Sequence, residues 1–489
     1  MNFFHDVKNR MKKLLYKIKW LNRTNERHAE ECAAYRRMEI YMQDEKLELM
    51  KNARIPKALW KIGMPTMVGM LVASLYTLVD AYYVGGLGTS AVGAVSVSFP
   101  IGQIVIGLGA LFGSGAASYI ARLFGESNYE EANKTASTAL FLSLAVGVIL
   151  IMLALIFLDP LLIMLGATET ILPYARKYAS IYIAGSIFNF FTVTVSNTIT
   201  AEGATRYSMI AQITGGVVNL ILAPIMIYSL KWGIRGAAVA TLISMAISFL
   251  LYARYIVVKV GTLRFHIKYV IFDKKIFKGI LSVGIPVFVF QLLASMAIAL
   301  TNTAASRYGD NAVAAMGIVT RILALGFGVI YGFLRGFQPI AGYNYGARKF
   351  DRLKEALRVS IRWTTWFSII SAVLLLLFAP QIMALFSQDK EVIMTGSYAL
   401  RIGAIPFITY GFVLVYAMLF LALGKTIEGA IFTFSRQGVF FIPLILLLPR
   451  FLGIKGIMYA QPVADILTFV LCLFFSIKIN KMLNNEVEE

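Results

Sequence analysis

The sequence has little charge, little histidine and almost no cysteine. Of its 489 residues, 15% are charged and 58% are hydrophobic, whereas a soluble domain carries about 25% charged residues. This excludes a disordered chain and argues strongly against a soluble multidomain enzyme. Cys32 and Cys472 lie near opposite ends, so neither a disulfide framework nor a CxxC site is indicated. The histidines His5, His28 and His266 lie outside the apolar runs, so no histidine-based metal site is expected in a membrane.

The net charge of +20 would be typical of a nucleic-acid-binding protein, but the placement of the charges contradicts that interpretation. The basic residues lie at the N-terminus and in short loops between apolar runs, as they do in the cytoplasmic loops of membrane proteins. We therefore expect a lipid bilayer as the partner and no nucleic acid.

Long apolar runs account for most of the chain. A transmembrane helix needs about 20 mostly apolar residues, and most of the runs end in glycine, proline or charged clusters. The sequence predicts an all-α integral membrane protein with about twelve transmembrane helices. The segments start near Leu59, Ala91, Ala136, Tyr174, Ser208, Ile234, Ile276, Ala312, Ile361, Tyr398, Ile427 and Ile454.

Lysine and arginine are distributed unequally between the two ends of these segments. One set of ends carries most of them, including Arg122, Arg206, 254–278 and 348–362, whereas the opposite ends have scattered cations such as Arg176. Because cytoplasmic loops are enriched in these residues, we expect a multi-pass plasma membrane protein with both termini in the cytoplasm.

An internal repeat relates the two halves of the sequence. Four pairs of glycine-containing motifs recur 221 residues apart and a fifth pair 220 apart, and chance matches would not keep one register over so long a stretch. The pairs are Gly63-Met-Pro65 with Gly284-Ile-Pro286, Gly88-x-x-Ala91 with Gly309-x-x-Ala312, Gly125 with Gly346, Gly203-x-Thr205 with Gly424-x-Thr426, and Gly233-Ile-Arg235-Gly236 with Gly453-Ile-Lys455-Gly456.

The repeat predicts two bundles of six helices. Six is an even number, so both bundles enter from the same side and are related by a pseudo-twofold axis along the membrane normal. Two such bundles suit alternating access around a site at their interface. The predicted parts are a basic amphipathic extension (1–52), the N-terminal bundle (53–262), a cytoplasmic linker (263–275), the C-terminal bundle (276–480) and a cytoplasmic tail (481–489).

The first 50 residues have a different pattern. Apolar residues such as Phe3, Met11 and Ile18 recur at helical spacing, and lysines cover much of the remaining surface. This is typical of an interfacial helix on an anionic membrane surface. The alternative is a dispensable extension upstream of a functional start at Met50.

Asp80, Asn219 and Thr241 are the candidate ion-coupling residues in the first half. Charged residues inside spans are costly and are therefore functional candidates, and a carboxyl in an apolar bundle can change between its protonated and ionised forms near neutral pH. Neutral oxygens such as those of Asn219 and Thr241 can complete a cation site beside one carboxylate. Alone, these two residues would serve as interhelical hydrogen-bonding groups.

The second half has its own polar residues within spans. Arg321 and Asp465 either neutralise one another or line a cleft and contact substrate. Further polar side chains are Asn344, Arg436 and Gln437. The candidates for the substrate cleft are Gln291, Asn302, Arg321, Arg335, Gln338 and Asp465.

Enzyme signatures are lacking in the sequence. Gly424-Lys425-Thr426 resembles the end of a phosphate-binding loop, but Leu419 stands where that motif requires glycine. Phe112 likewise replaces the third glycine of a dinucleotide-binding loop that would begin at Gly107. We therefore expect no enzyme and no cofactor, with transport energy from an ion gradient or a separate partner.

These residues together resemble the multidrug and toxic compound extrusion (MATE) family, particularly its MepA-type bacterial branch. The resemblance covers about 53–480. The order of the motifs along two repeated halves of six helices is more specific than any one motif. The motifs are Val79-Asp80 with Tyr83-Val-Gly85; Ala201-Glu202-Gly203; Trp232-Gly-Ile-Arg-Gly-Ala-Ala-Val-Ala-Thr241; Gly336-Phe-Gln-Pro339 with Gly342-Tyr-Asn-Tyr-Gly-Ala347; and Gln461-Pro-Val-Ala-Asp465.

The resemblance implies an exporter of cationic, amphipathic compounds that is driven by inward proton or sodium flow. The family's cation site matches this chain at Asp80, Asn219 and Thr241. Its second acid, four residues after the asparagine, is replaced by Ala223, which favours a proton over sodium. Another acid found in some branches is also missing, since Ala294 stands at its position.

Two alternatives remain open at the level of the sequence. A flippase for a lipid-linked precursor shares the architecture within the same superfamily, although such flippases usually need a strongly cationic cleft. A membrane-embedded enzyme or binding protein is the alternative from another class. We expect small-molecule substrates and a monomer.

Overall fold

The computed structural model describes residues 48–87, 89–165, 167, 169–387 and 389–488. Within these ranges the side chains at 74–78, 80–82, 89, 90, 92, 310, 426, 433 and 484–488 are outside the description. The amphipathic pattern at Phe3, Met11 and Ile18 also lies outside the described residues, so the interfacial helix stays a prediction.

The protein is all-α, as predicted. The first half contains α1 (Ile55–Gly85), α2 (Thr89–Gly125), α3 (Tyr129–Ile156), α4 (Leu172–Ala201), α5 (Thr205–Pro224, continued by the π-turn Ile225–Ser229) and α6 (Ile234–Val257). The second half contains α7 (Lys274–Ser306), α8 (Asp310–Gly346), α9 (Phe350–Ala384), α10 (Lys390–Leu423), α11 (Thr426–Phe434, π-helical Ser435–Phe441 and Ile442–Leu452) and α12 (Ile454–Glu488).

The helices have the length and composition of membrane spans. Within the described residues, eleven helices, α2 to α12, are long and apolar enough to cross a bilayer, and α1 has 31 residues. Several of these helices begin at a polar residue whose side chain caps the N-terminus. Asn128 accepts a hydrogen bond from the Glu131 amide at the start of α3, and Asp389 caps α10. The chain is therefore an integral membrane protein of the predicted class.

Glycine contacts between the halves define a pseudo-twofold axis. Gly125 and Gly346 are repeat equivalents, and each lies against the other helix so closely that a methyl group would clash with its backbone. The clash at Gly125 is with the Tyr343 carbonyl, and the clash at Gly346 is with the Arg122 carbonyl. Because Arg122 and Tyr343 are also 221 residues apart, the repeat converts one contact into the other by a twofold rotation, and the axis passes between them.

A second pair of contacts obeys the same symmetry. Gly336 of α8 packs against Gly63 of α1, and Gly115 of α2 packs against Gly284 of α7. The repeat converts the first pair into the second. The two halves therefore meet mainly through α1, α2, α7 and α8.

These contacts lie toward one end of the helices. We call it the basic end; it carries the start of α1, the end of α2, the start of α7 and the end of α8. The pattern changes farther along the same helix faces. Asn302 lies five turns beyond Gly284 on α7, and Arg321 lies three turns before Gly332 on α8, yet both side chains are exposed, as is Ile104 of α2. The halves separate there, leaving a cleft that opens at the end opposite the basic end.

The chain segment before α1 belongs to the folded body. Met50 is fully buried, and its carbonyl accepts hydrogen bonds from Arg352 (3.3 Å) and Asn344 (3.4 Å). Arg352 also donates to the Ala53 carbonyl, at 2.8 Å. A truncated chain must therefore begin at or before Met50 if these contacts are to survive.

The connection between the halves is held by one buried acid. Glu202, 1% exposed, accepts hydrogen bonds from the Thr262 and Leu263 amides at 2.7 and 3.0 Å and from the Tyr255 hydroxyl. Three donors satisfy this carboxylate and fix the start of the connection.

Candidate functional site

Asn219 and Thr241 lie together inside the first half. The Asn219 amide nitrogen donates to the Thr241 hydroxyl at 3.3 Å, and that hydroxyl donates to the Ala237 carbonyl at 3.0 Å. Asn219 is 2% exposed. In the part of the chain that the structure describes, its side-chain oxygen has no hydrogen-bond partner. A buried acceptor without a partner is costly, so this oxygen is a ready acceptor for a protonated group or a cation.

The backbone of Asp80 runs beside this pair. On the N-terminal side of Asp80, Gly69 of α1 packs closely on α5, since a methyl group there would lie 3.3 Å from the Gln212 side-chain oxygen. On the C-terminal side of Asp80, the Tyr228 hydroxyl donates to the Tyr83 carbonyl at 2.6 Å. Asp80 lies between these two contacts along α1, and Asn219 lies between them along α5. The structure thus brings the segments that carry all three predicted coupling residues together, while the side chain of Asp80 is outside the description.

Ala223 takes the place where the resemblance leads one to expect an acid. It is fully buried, one turn after Asn219. Among the described residues, no group of three His, Cys, Asp or Glu could hold a metal ion. The oxygens that this region offers near Asn219 are therefore few for a hard cation, which in proteins takes about six or more.

A second polar site lies where the halves meet. Arg335 of α8 donates from Nη2 to the side-chain oxygen of Asn197 on α4, at 2.8 Å, and Nη1 lies 3.9 Å from the sulfur of Met70. A small cavity surrounds the guanidinium. Its lining comes from both halves and comprises Ala117, Asn197, Thr200, Ala201, Arg335, Gln338 and Pro339. Arg335 and Gln338 were predicted for the cleft; Asn197 was missed, although an asparagine in an apolar span is itself a signal.

Asp465 has a different environment from the one predicted. It is 3% exposed inside the second half and accepts from Arg436 Nε at 2.8 Å and from the Tyr410 hydroxyl at 2.6 Å. Gln461 adds a third donor at 2.8 Å. The predicted pairing with Arg321 is wrong, because Arg436 is the partner and Arg321 is exposed on the cleft face of α8. This network is a closed, satisfied group rather than an open part of the cleft.

The remaining cleft candidates lie on α7. Gln291 packs near Gly107 of α2, where the halves are still in contact. Asn302 is exposed in the open part. Together with Arg321 and Arg335, they give the described part of the cleft a lining of hydrogen-bond donors and positive charge.

Hydrogen bonds across the basic end keep the cleft closed there. The Arg122 guanidinium donates to the Ala422 carbonyl at 2.8 Å, and the Ser118 hydroxyl donates to the Leu421 carbonyl at 2.5 Å. Lys275 of α7 pairs with Glu131 of α3 at 2.9 Å. Two symmetric helix bundles, a cleft open at one end and a buried polar site in a bundle define the class of secondary transporters.

Comparison with known proteins assigns the family within this class. The MatE family model matches residues 65–225 and 286–447, which is most of both halves, and the two matches begin 221 residues apart. The chain belongs to the MatE family. It is therefore a multi-span membrane transporter and not an enzyme, and multidrug export is the activity that its relatives share.

Relatives and a solved structure agree with this assignment. The multidrug export protein MepA of Staphylococcus haemolyticus is 28% identical over 434 residues, covering 88% of this chain and 96% of the relative. MepA of Staphylococcus aureus is 26% identical over 425 residues, covering 87% and 94%. An outward-facing multidrug resistance MATE family transporter of the MOP superfamily superposes with a TM-score of 0.85 at 28% identity, covering 90% and 98% of the two chains.

Proposed function

We propose that this protein exports cationic, amphipathic compounds by alternating access and that inward proton movement drives the export. The observation that carries the proposal is the buried side-chain oxygen of Asn219 beside Thr241, which has no partner among the described residues. It lies on the stretch of α5 that packs against the Asp80 segment. A protonated carboxyl at Asp80 could donate to this oxygen, and an ionised one could not. Proton binding at Asp80 would thus change the packing of α1 on α5.

A proton fits this region better than sodium. Sodium is a hard cation that needs several oxygens, and Ala223 removes one carboxylate from the expected set. A single carboxyl and an amide oxygen are enough for a proton.

The orientation of the protein is part of the proposal. The lysines and arginines of the basic end favour a cytoplasmic location for that end and for both termini. The cleft would then open to the exterior of the plasma membrane, and the transporter would act as a monomer on small molecules from within the bilayer.

Counter-transport in proteoliposomes tests the coupling. A dye is loaded, and its movement is measured under a pH gradient without sodium and under a sodium gradient at fixed pH. We expect transport with the pH gradient alone. Strict dependence on sodium at constant pH would contradict the assignment of the proton.

The variant Asp80→Asn tests the coupling residue. Asparagine resembles a permanently protonated carboxyl, so we expect gradient-driven efflux to be lost while insertion and dye binding persist. Asp159→Asn is the matched control, because Asp159 is an exposed acid that pairs with Arg176 outside the bundle. Normal efflux by the Asp80 variant would rule out this carrier.

The runner-up is a flippase for a lipid-linked precursor. One observation favours it: the side chains of Arg321 and Arg335 occupy one face of α8 along the cleft. The cations inside spans are nevertheless few, namely Lys61, Arg321, Arg335 and Arg436, and Arg436 is paired with Asp465. Dye counter-transport by the purified protein would favour the exporter.

A further inference from the structure

We propose that Arg335 binds an anionic group of the exported compound, so that the preferred substrates are amphipathic zwitterions rather than simple cations. The inference rests on the proposed function and narrows its substrate class. It starts from a charge at membrane depth that forms no ion pair with any residue that the structure describes.

Arg335 lies deep in the protein. It stands 11 residues before the end of α8 at Gly346, which corresponds to about 16 Å along the helix and to about half of a ~30 Å apolar core. A guanidinium at this depth is costly unless it is paired. Among the described residues it forms no ion pair, and the cavity around it contains no acidic side chain. Its partners there are the amide oxygen of Asn197 and the sulfur of Met70.

The contrast with Arg436 shows what a satisfied arginine looks like in this fold. Arg436 lies at a similar depth in the second half, and Asp465, Tyr410 and the ring of Phe327 surround it. Arg335 has five N–H donors, one of which serves Asn197. An incoming carboxylate could accept from the others in a bidentate geometry, which is the strongest form of this interaction.

Arg335 lies at the base of the cleft, where the halves are in contact. On the same side of α8, Gly332 packs on Met67 of the first half, between Arg335 and the open part of the cleft. Arg321 is 14 residues earlier, about 21 Å along the helix, on nearly the same face and exposed. A compound that entered the open cleft would meet a positive lining at its mouth and a charged donor at its base.

A simple cation is poorly suited to this lining. In the described part of the cleft it would meet two arginines and no acidic side chain, and like charges repel most strongly where water is scarce. An added carboxylate on the same molecule would remove this repulsion. It would also compete with Asn197, which belongs to the other half, for the guanidinium.

Binding of a matched pair of dyes tests the proposal without a gradient. Rhodamine B is a zwitterion with a free carboxylate, and its ethyl ester is the corresponding cation. The full chain is placed in phosphatidylcholine nanodiscs, and the affinity for each dye is measured by fluorescence polarisation. We expect the acid to bind about tenfold more tightly than the ester, as for a charge-assisted hydrogen-bonded pair.

Three variants assign the preference to the site. Arg335→Gln should bring the ratio of the two affinities close to one. Arg335→Lys should keep part of the preference for the acid, because lysine retains the charge but lacks the bidentate geometry of the guanidinium. Arg176→Gln is the control, since it removes the same charge from an exposed ion pair outside the bundle, and it should keep the preference.

Several results would overturn the proposal. They are equal affinities in the unmodified protein, a preference that survives Arg335→Gln, or an equal loss in Arg176→Gln. Competition by phosphatidylglycerol would assign the anion to a lipid headgroup instead of the exported compound. Efflux under a pH gradient by a protein that binds neither dye would also overturn it, while the exporter itself would stand.

Discussion

At the scale of single residues, the strongest energetic statement concerns the pair Arg436 and Asp465. Removing one partner of a buried ion pair leaves an uncompensated charge, which typically costs about 3–5 kcal/mol. We expect Asp465→Asn to lower the thermal stability of the purified protein strongly, measured as its melting temperature in detergent. The double variant Asp465→Leu with Arg436→Met should recover much of the loss, because apolar residues of similar size often replace such pairs without cost.

An exposed pair provides the comparison for this prediction. Arg176 and Asp159 form an ion pair with side chains 55% and 42% exposed, and such pairs contribute about 0–1 kcal/mol. Asp159→Asn should therefore leave the melting temperature nearly unchanged. Equal shifts of the melting temperature for Asp465→Asn and Asp159→Asn would mean that burial does not increase the contribution of the inner pair to stability.

This pair also shows what residue-level reasoning from the sequence could reach. A charge within an apolar span is visible in the sequence, so Asp465 could be singled out. Its partner could not, because helix adjacency and rotation decide which cation lies opposite. Arg436 lies in the π-helical stretch Ser435–Phe441, where the register departs from the 3.6-residue period on which such reasoning depends.

At the scale of helices, glycine contacts decide how closely the halves approach. A methyl group at Gly336 would clash with the backbone of Gly63, whereas one at Gly317, on the same helix, would meet nothing within 4 Å. Overpacking costs about 1–3 kcal/mol. In this protein the clash would destabilise the conformation that is closed at the basic end, because the two glycines touch there. We expect Gly336→Ala to depopulate that state and Gly317→Ala to leave it unchanged.

Alkylation of a single cysteine measures this shift. Ile104 is 40% exposed in the open part of the cleft, so Ile104→Cys in a chain without Cys32 should react with a membrane-impermeant maleimide. Cys472 is buried and should contribute little background. Added Gly336→Ala should slow the reaction severalfold. An unchanged rate would show that the glycine contact does not control the opening.

The same contacts explain why the arrangement of the helices was easier to predict from the sequence than the pairing of side chains. The repeat of Gly63 as Gly284 and of Gly125 as Gly346 predicted two parallel halves, and the structure gives the physical reason for the spacing. These glycines are the points of closest approach, so each half needs them at the same positions. Gly115 and Gly336, the other members of the contacts, follow the same separation but stood out less in the sequence because no shared motif surrounds them.

At the scale of the whole molecule, the symmetry of the fold contrasts with the asymmetry of its polar groups. The first half holds a neutral pair, Asn219 and Thr241, with one acceptor unsatisfied among the described residues. The second half holds a buried charged network in which the Asp465 carboxylate accepts from Tyr410, Arg436 and Gln461. A satisfied network is rigid, and an unsatisfied acceptor responds to protonation nearby. We therefore expect the first half to carry the ion-dependent change while the second half moves as a rigid body.

The N-terminal region provides the last test at this scale. Residues 48–53 belong to the described, folded part of the chain, with Met50 fully buried and Arg352 bound to the Ala53 carbonyl. We expect a chain that begins with methionine at position 47 to show unchanged dye efflux per inserted molecule.

A chain that begins at Arg54 should behave differently. It loses the buried Met50 side chain, and removal of a buried methionine typically costs about 2–5 kcal/mol. It also removes the Met50 and Ala53 carbonyls that Arg352 binds and the Met50 carbonyl that Asn344 binds. The melting temperature should fall and efflux should decline, whereas the longer chain remains normal. A large loss of efflux in the chain that begins at position 47 would contradict this division, because the first 47 residues would then gate the transporter or recruit a partner.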